Sequence, residues 1–267
     1  MKDFPIFLIF FIPLIISSCN KDYDFYKNKE YFIQKTIDTK NIDKGIIRAK
    51  VDNRWQKFEV VELPEEFLEW NFKERLLMIE KIKRREPLDW SGPHSGMVAT
   101  YGAKRKDTKF KINCAVKGMG FLPKKEKIKE MINLLKSTIN DSFERKINIL
   151  ESLYRNGKEI FDLTKQVSLE LYTKKDFYTQ TFLNQMVNPA CAIVFLDVPS
   201  YKLKCLAHLL HPENPYLNEY ERDVCEYVNL IHDYFHGISP KKSIVTIYYI
   251  IEVFDNSPGK GRGVRVK

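Results

Sequence analysis

Apolar positions along this chain change period several times, and each change marks an element. Ile46 to Val51 and Trp55 to Glu62 read as two strands around a Val51-Asp52-Asn53-Arg54 turn, which predicts a hairpin. Pro64 then opens a helix with Glu65 and Glu66 in its first turn and Lys81, Lys83, Arg84 and Arg85 at its end, the charge order that a helix dipole favours. Leu68, Phe72, Leu76 and Ile79 supply its apolar stripe, and Pro87 stops it. Residues 86–96 read as a loop. Met97 to Tyr101 and Thr108 to Val116 are expected as two strands joined by a basic turn.

From Pro123, apolar residues recur every three or four positions (Ile128, Ile132, Leu135, Ile139, Phe143, Ile147, Leu150) as far as Asn156-Gly157. This predicts one long helix or two. The stretch 158–187 has no clear period, with a helix expected from about Asp176. Ala192 to Val198 reads as a buried strand, Tyr201 to Leu210 as a helix, and Asn218 to His236 as a helix. Ile244 to Phe254 (IVTIYYIIEVF) is a long strand of β-branched and aromatic residues. Strands and helices are interspersed without strict βαβ alternation. The expectation is an α+β fold, a mostly antiparallel sheet packed with several helices in one globular domain.

The amino end follows a different pattern. Met1-Lys2-Asp3 precedes a 13-residue apolar run, Phe4 to Ile16, which ends at Ser17-Ser18-Cys19. A helix crossing a bilayer needs ~20 apolar residues, so the run is too short to span and has the length of a secretory signal core. Ile16, Ser17, Ser18 and Cys19 resemble the lipobox of bacterial lipoproteins: an aliphatic residue, two small residues and a cysteine. The resemblance implies cleavage before Cys19, a diacylglyceryl group on its sulfur and acylation of its new amine. The expected organisation is a signal peptide over 1–18 and a lipidated Cys19 with a polar tether over 19–43. A globular domain over 44–256 and a loose basic, Gly-rich tail over 257–267 follow. Asn20, rather than Asp, follows Cys19, which implies an outer-membrane address under the enterobacterial sorting rule.

Composition narrows the partners. From Cys19 to Lys267 there are 249 residues, enough for one large domain with a real core. The net charge of +9 is spread along the chain. It suits anionic lipid, an acidic polymer or an envelope protein, and an exported protein has little occasion to meet nucleic acid. Besides Cys19 there are Cys114, Cys191, Cys205 and Cys225. They allow three pairings, and an oxidising envelope permits a disulfide, while four small buried hydrophobes explain them equally well.

One constellation carries candidate chemistry. Four of the five histidines fall within 29 residues: His208, His211, His232 and His236. The sequence His232-Asp233-Tyr234-Phe235-His236 resembles the HExxH motif of zinc hydrolases, with Asp in the place of the general-base Glu. Residues four apart share a helix face, so the two imidazoles can share a zinc ion, with His208 and His211 folding back as further ligands. The competing reading is packing. Tyr220, Val224, Tyr227, Val228, Ile231 and Phe235 form a full apolar stripe that His232 and His236 flank. No other complete catalytic set is present. Ser91-Gly92-Pro93-His94-Ser95-Gly96 lacks the spacing of a nucleophile elbow, and Gly259-Lys260-Gly261-Arg262-Gly263 lacks that of a phosphate loop. The reading is therefore a lipid-anchored, non-enzymatic binding protein without a cofactor. A zinc-dependent hydrolase and a binder of acidic polymers are the alternatives.

Overall fold

A computed structural model describes residues 23–89, 91–259 and 262–267. The signal segment and Cys19 lie outside the described residues. The fold is α+β with two antiparallel sheets. The smaller sheet contains β1 (Ile37–Asp38), β2 (Ile46–Val51) and β3 (Arg54–Glu59). Asp52 and Asn53 both have positive φ, 48° and 64°, as the tight turn between twisted strands demands. The hairpin is where the sequence places it.

The larger sheet runs β10-β9-β8-β7-β4-β5, with β6 also paired to β9. Its members are β4 (Ser95–Tyr101), β5 (Ile112–Gly118), β6 (Lys165–Glu170), β7 (Ala190–Phe195), β8 (Tyr201–Leu210), β9 (Ile244–Asp255) and β10 (Val264–Arg265). The first half of β9 pairs with β6, and its last two residues, Phe254 and Asp255, pair with β10. The sheet curls until its two edges meet. Gly120, just past β5, bridges Val167 of β6, and Lys117 donates to Glu170 across the same seam at 2.6 Å. The side bearing Lys117 and Glu170 is therefore concave.

Among the described residues six helices pack around this sheet: α1 (Glu65–Lys83), α2 (Ile128–Thr138), α3 (Phe143–Arg155), α4 (Gly157–Ile160), α5 (Gln180–Val187) and α6 (Glu219–His236). Of the two sequence alternatives for 123–156, the structure has two helices. Ser142 separates them, its side chain capping α3 by accepting from Arg145 N. The helix expected from about Asp176 begins at Gln180, where Thr179 caps it. Two aromatic rings of α1, Phe67 and Trp70, pack on Phe195 and Tyr201 of the sheet. At the other end of β4, Asn184 of α5 donates to the Thr100 hydroxyl and accepts from Ala103 N.

Tyr201–Leu210 is a strand rather than the expected helix. It hydrogen-bonds β7 on one side and β9 on the other. Its first residues alternate, but a register shift between Lys204 and Cys205 and burial of both faces beyond it make Leu206, Ala207, Leu209 and Leu210 all buried. A strand covered on both faces loses its period of two and can be read as a helix.

The stretch expected as a tether joins the fold by Tyr26. Tyr26 and Phe32 are buried with Phe182 of α5. Beyond Ala190, β7 no longer reaches β8, and the Gln34 side chain completes the ladder: Nε2 donates to Ala207 O and Oε1 accepts from Leu209 N. The tail is likewise partly strand, through β10.

Candidate functional site

Where α1, α3 and α6 cross the seam between β5 and β6, they enclose a cavity of about 230 Å³. Met119, Phe121, Leu153, Val167, Tyr227 and Ile231 line its wall. The helix carrying two of them is specified locally. Asn218 accepts from Glu221 N while the Glu221 carboxylate accepts from Asn218 N, a reciprocal cap that starts α6. Gly237, with φ of 90°, ends it. The apolar stripe of α6 therefore faces the sheet along its whole length, and its last turn brings His232 and His236 to the cavity mouth.

These two histidines behave as their spacing requires. Their ring centroids are 4.7 Å apart. His94, which the sequence reading set aside as part of a turn, joins them at the mouth. Its carbonyl accepts from Met119 N at 2.8 Å, seating the 86–94 loop on the end of β5. Burial lowers the His94 pKa to about 4, with Arg75 and His236 adding to the effect. Burial and then His232 lower the pKa of His236. Imidazoles so placed are neutral at pH 7.

The cavity's one fixed charge is Arg75, 1% exposed. Its guanidinium donates from Nε to Asn71 Oδ1, from Nη1 to the Tyr154 hydroxyl, and from Nη2 to the carbonyls of Pro93 and Met119. The rings of Phe121 and Tyr154 lie 5.5 and 5.2 Å from it. None of these partners is a carboxylate. A guanidinium has five N–H groups, and four have acceptors here, leaving one on Nη1 without an acceptor among the described residues. A buried cation balanced only by dipoles is an electrostatic demand for an anion.

Arg75 was detectable in the sequence. It occupies the interval between Phe72 and Ile79 on the apolar face of α1, a position where an arginine breaks the pattern. The expected stripe used Leu76, but Arg75 is the buried residue and Leu76 is half-buried.

The other histidines lie elsewhere. His208 is on β8 opposite Ile247, near the Tyr249 ring, and its Nδ1 is buried without a partner among the described residues. His211 packs edge-on against Tyr26 and Phe32. His232 and His236 are together, while His208 and His211 do not join them. Among the described residues, no three His, Cys, Asp or Glu side chains form a group that could hold a metal ion. All four described cysteines are free: Cys191, Cys205 and Cys225 are buried and Cys114 is exposed.

A larger cleft of about 920 Å³ lies between the 39–45 segment and the start of α6. Its buried cation, Lys165, already has a carboxylate partner in Asp162, and Lys125 and Lys129 pair with Asp43 and Glu219, so it makes no comparable demand. No helix among the described residues is long and apolar enough to cross a membrane. No protein-family model matches the chain, and no curated protein matches it.

Proposed function

We propose that the protein is a lipid-anchored bacterial envelope lipoprotein whose domain binds a small apolar molecule bearing a carboxylate. The lipobox at Ile16 to Cys19 supports the anchor, and Asn20 supports the outer membrane. The buried, carboxylate-free Arg75 on the wall of an otherwise apolar cavity carries the ligand class. The apolar wall takes the body of such a ligand and the last Nη1 hydrogen takes its anionic end. Neutral His94 and His236 at the mouth add donors and acceptors without adding charge. At about 230 Å³ the cavity lies below the usual range of ligand pockets, which limits the occupant to a short acyl chain or a single ring.

The test is calorimetric titration with benzoate and hexanoate beside benzamide and hexanamide. The acids should bind and their amides should bind at least about tenfold more weakly, the value of one lost charge-assisted hydrogen bond. Leu150→Trp, which fills the cavity from α3, should abolish binding while the far-ultraviolet circular dichroism stays native. Equal binding of acids and amides, or binding unaffected by Leu150→Trp, would sink the reading.

The 4.7 Å separation of the His232 and His236 rings favours a second reading, a metal held by that pair. It would need its remaining ligands from water or from a bound molecule. Metal analysis of the untagged protein decides it: stoichiometric zinc lost in His232→Ala supports it, and sub-stoichiometric metal removes it.

A further inference from the structure

Tyr23, the first described residue, and the loop between β4 and β5 lie at the same end of the molecule. Tyr23 and Asp24 share a surface pocket with Lys104 to Asp107 of that loop and with Lys175 to Tyr178 ahead of α5. Phe25 packs on Tyr178, with ring centroids 5.7 Å apart. Cys19 is four residues before Tyr23 in the sequence, and four residues of fully extended chain reach at most ~14 Å. Lipid attached there places a bilayer surface beside this loop.

The loop has the chemistry of such a surface. Lys104 to Lys111 (KRKDTKFK) holds five basic residues against one acidic. The neighbouring segment Tyr172 to Tyr178 (YTKKDFY) adds two basic residues and one acidic. Some of this charge is matched, Arg105 by Asp107 and Lys175 by Glu30. Lys104, Lys109 and Lys111 are exposed. Among the lysines stand exposed apolar side chains: Phe110 at 69%, Ile112 at 67%, Tyr101 at 52%, Tyr172 at 72% and Phe177 at 51%. Lysines around projecting aromatic rings match an interface with anionic headgroups above and acyl chains below.

We propose that the β4–β5 loop, led by Phe110 and flanked by Lys104, Lys109 and Lys111, docks on the anionic lipid surface that carries the Cys19 anchor. This rests on the lipoprotein reading and adds an orientation to it. The loop lies at one end of β5 and the cavity mouth at the other. Strands rise ~3.4 Å per residue, so the docked domain holds its ligand cavity roughly 20 Å above the headgroups, open to soluble ligand.

The experiment uses the full chain, processed in bacteria and reconstituted into vesicles of phosphatidylglycerol and brominated phosphatidylcholine. Phe110→Trp adds a fluorophore at the loop tip. Leu88→Trp adds one to the exposed loop after α1, at the far end of the β4–β5 hairpin. Bromine should quench the emission added by Phe110→Trp and leave that added by Leu88→Trp unchanged. The quenching should fall at least twofold when phosphatidylcholine replaces phosphatidylglycerol, or when Lys104, Lys109 and Lys111 are all changed to Glu, with thermal melting unchanged. Equal quenching of the two tryptophan variants overturns the docking. Quenching indifferent to phosphatidylglycerol and to the Lys→Glu changes overturns the anionic surface. The mass of the amino-terminal peptide reads the anchor separately. A lipid-bearing Cys19 with no quenching removes the docking alone, whereas an unmodified Cys19 removes the anchor and the proposal with it.

Discussion

The convex face of the large sheet is divided into two halves with opposite fates. Over β6 and β9, its side chains Val167, Ile247 and Tyr249 are buried, with α6 packed on these strands. Over β5, β4 and β7 the same face carries Val116, Met97 and Val194 in one cross-strand row and Ile112 and Tyr101 in another. No helix among the described residues buries them: Val116 and Ile112 are each 67% exposed and Tyr101 is 52% exposed. The strands record the difference. β9 is apolar almost without interruption because both faces are covered, whereas β5 alternates between half-buried and exposed along its whole length. Hydrophobicity alone therefore does not decide coverage. Ile112 is as apolar as Ile247, and only the helical layer distinguishes them.

The largest break in this contrast should come from Arg75→Met, which unties α1 from the seam. It leaves two carbonyls, the Asn71 oxygen and the Tyr154 hydroxyl without their donor, at a cost of about 3–5 kcal/mol in urea unfolding. A loss under about 1 kcal/mol would mean that the guanidinium is not the tie described. A direct comparison of the halves comes next. Ile247→Ala, at a position 1% exposed, should cost about 2–4 kcal/mol, and Val116→Ala less than about 0.5. Similar costs would show that something covers the bare half.

Acid should weaken the covered half selectively. Burial lowers the His208 pKa to about 4 from its ordinary 6.5. Between those values the unfolded chain takes up a proton that the folded one refuses, so stability is full above pH 6.5 and falls as pH drops towards 4. The loss by pH 4.5 should be about 1–2 kcal/mol, reduced from the full linkage value because solvent reaches part of the residue. His208→Phe should remove that share of the acid sensitivity, and an unchanged difference in melting temperature between pH 7 and pH 4.5 would refute the assignment. The smallest effect is chemical. Cys114, exposed on the bare half, should react with a thiol reagent in the native protein. Cys191 and Cys225, their thiols pushed up to about 12 by burial, should react only on unfolding, as should the buried Cys205. More than one fast thiol among the four described cysteines would contradict the burial described.

Much of this was decided locally. The hairpin at Asp52-Asn53, the start of α1 at Pro64, the cap of α6 at Asn218 and the long strand β9 each follow from residues within a few positions of one another. The α+β class follows from their order. His232 and His236 share a face because helical spacing requires it. What depends on distant residues was not legible. β8 reads as a helix because two other strands and two covered faces erase its alternation. Tyr26 and Phe32 sit in a segment otherwise rich in charge, and only the gap left where β7 ends gives them a place. His94 lines the same cavity as His232 and His236 because the end of β5 accepts its loop, and these residues are more than a hundred positions apart in the sequence. Arg75 lies between: its break in the α1 stripe is visible in the sequence, but its meaning is not. Whether a buried arginine finds a carboxylate or only carbonyls depends on which chains cross at the seam, and the tertiary structure alone fixes that.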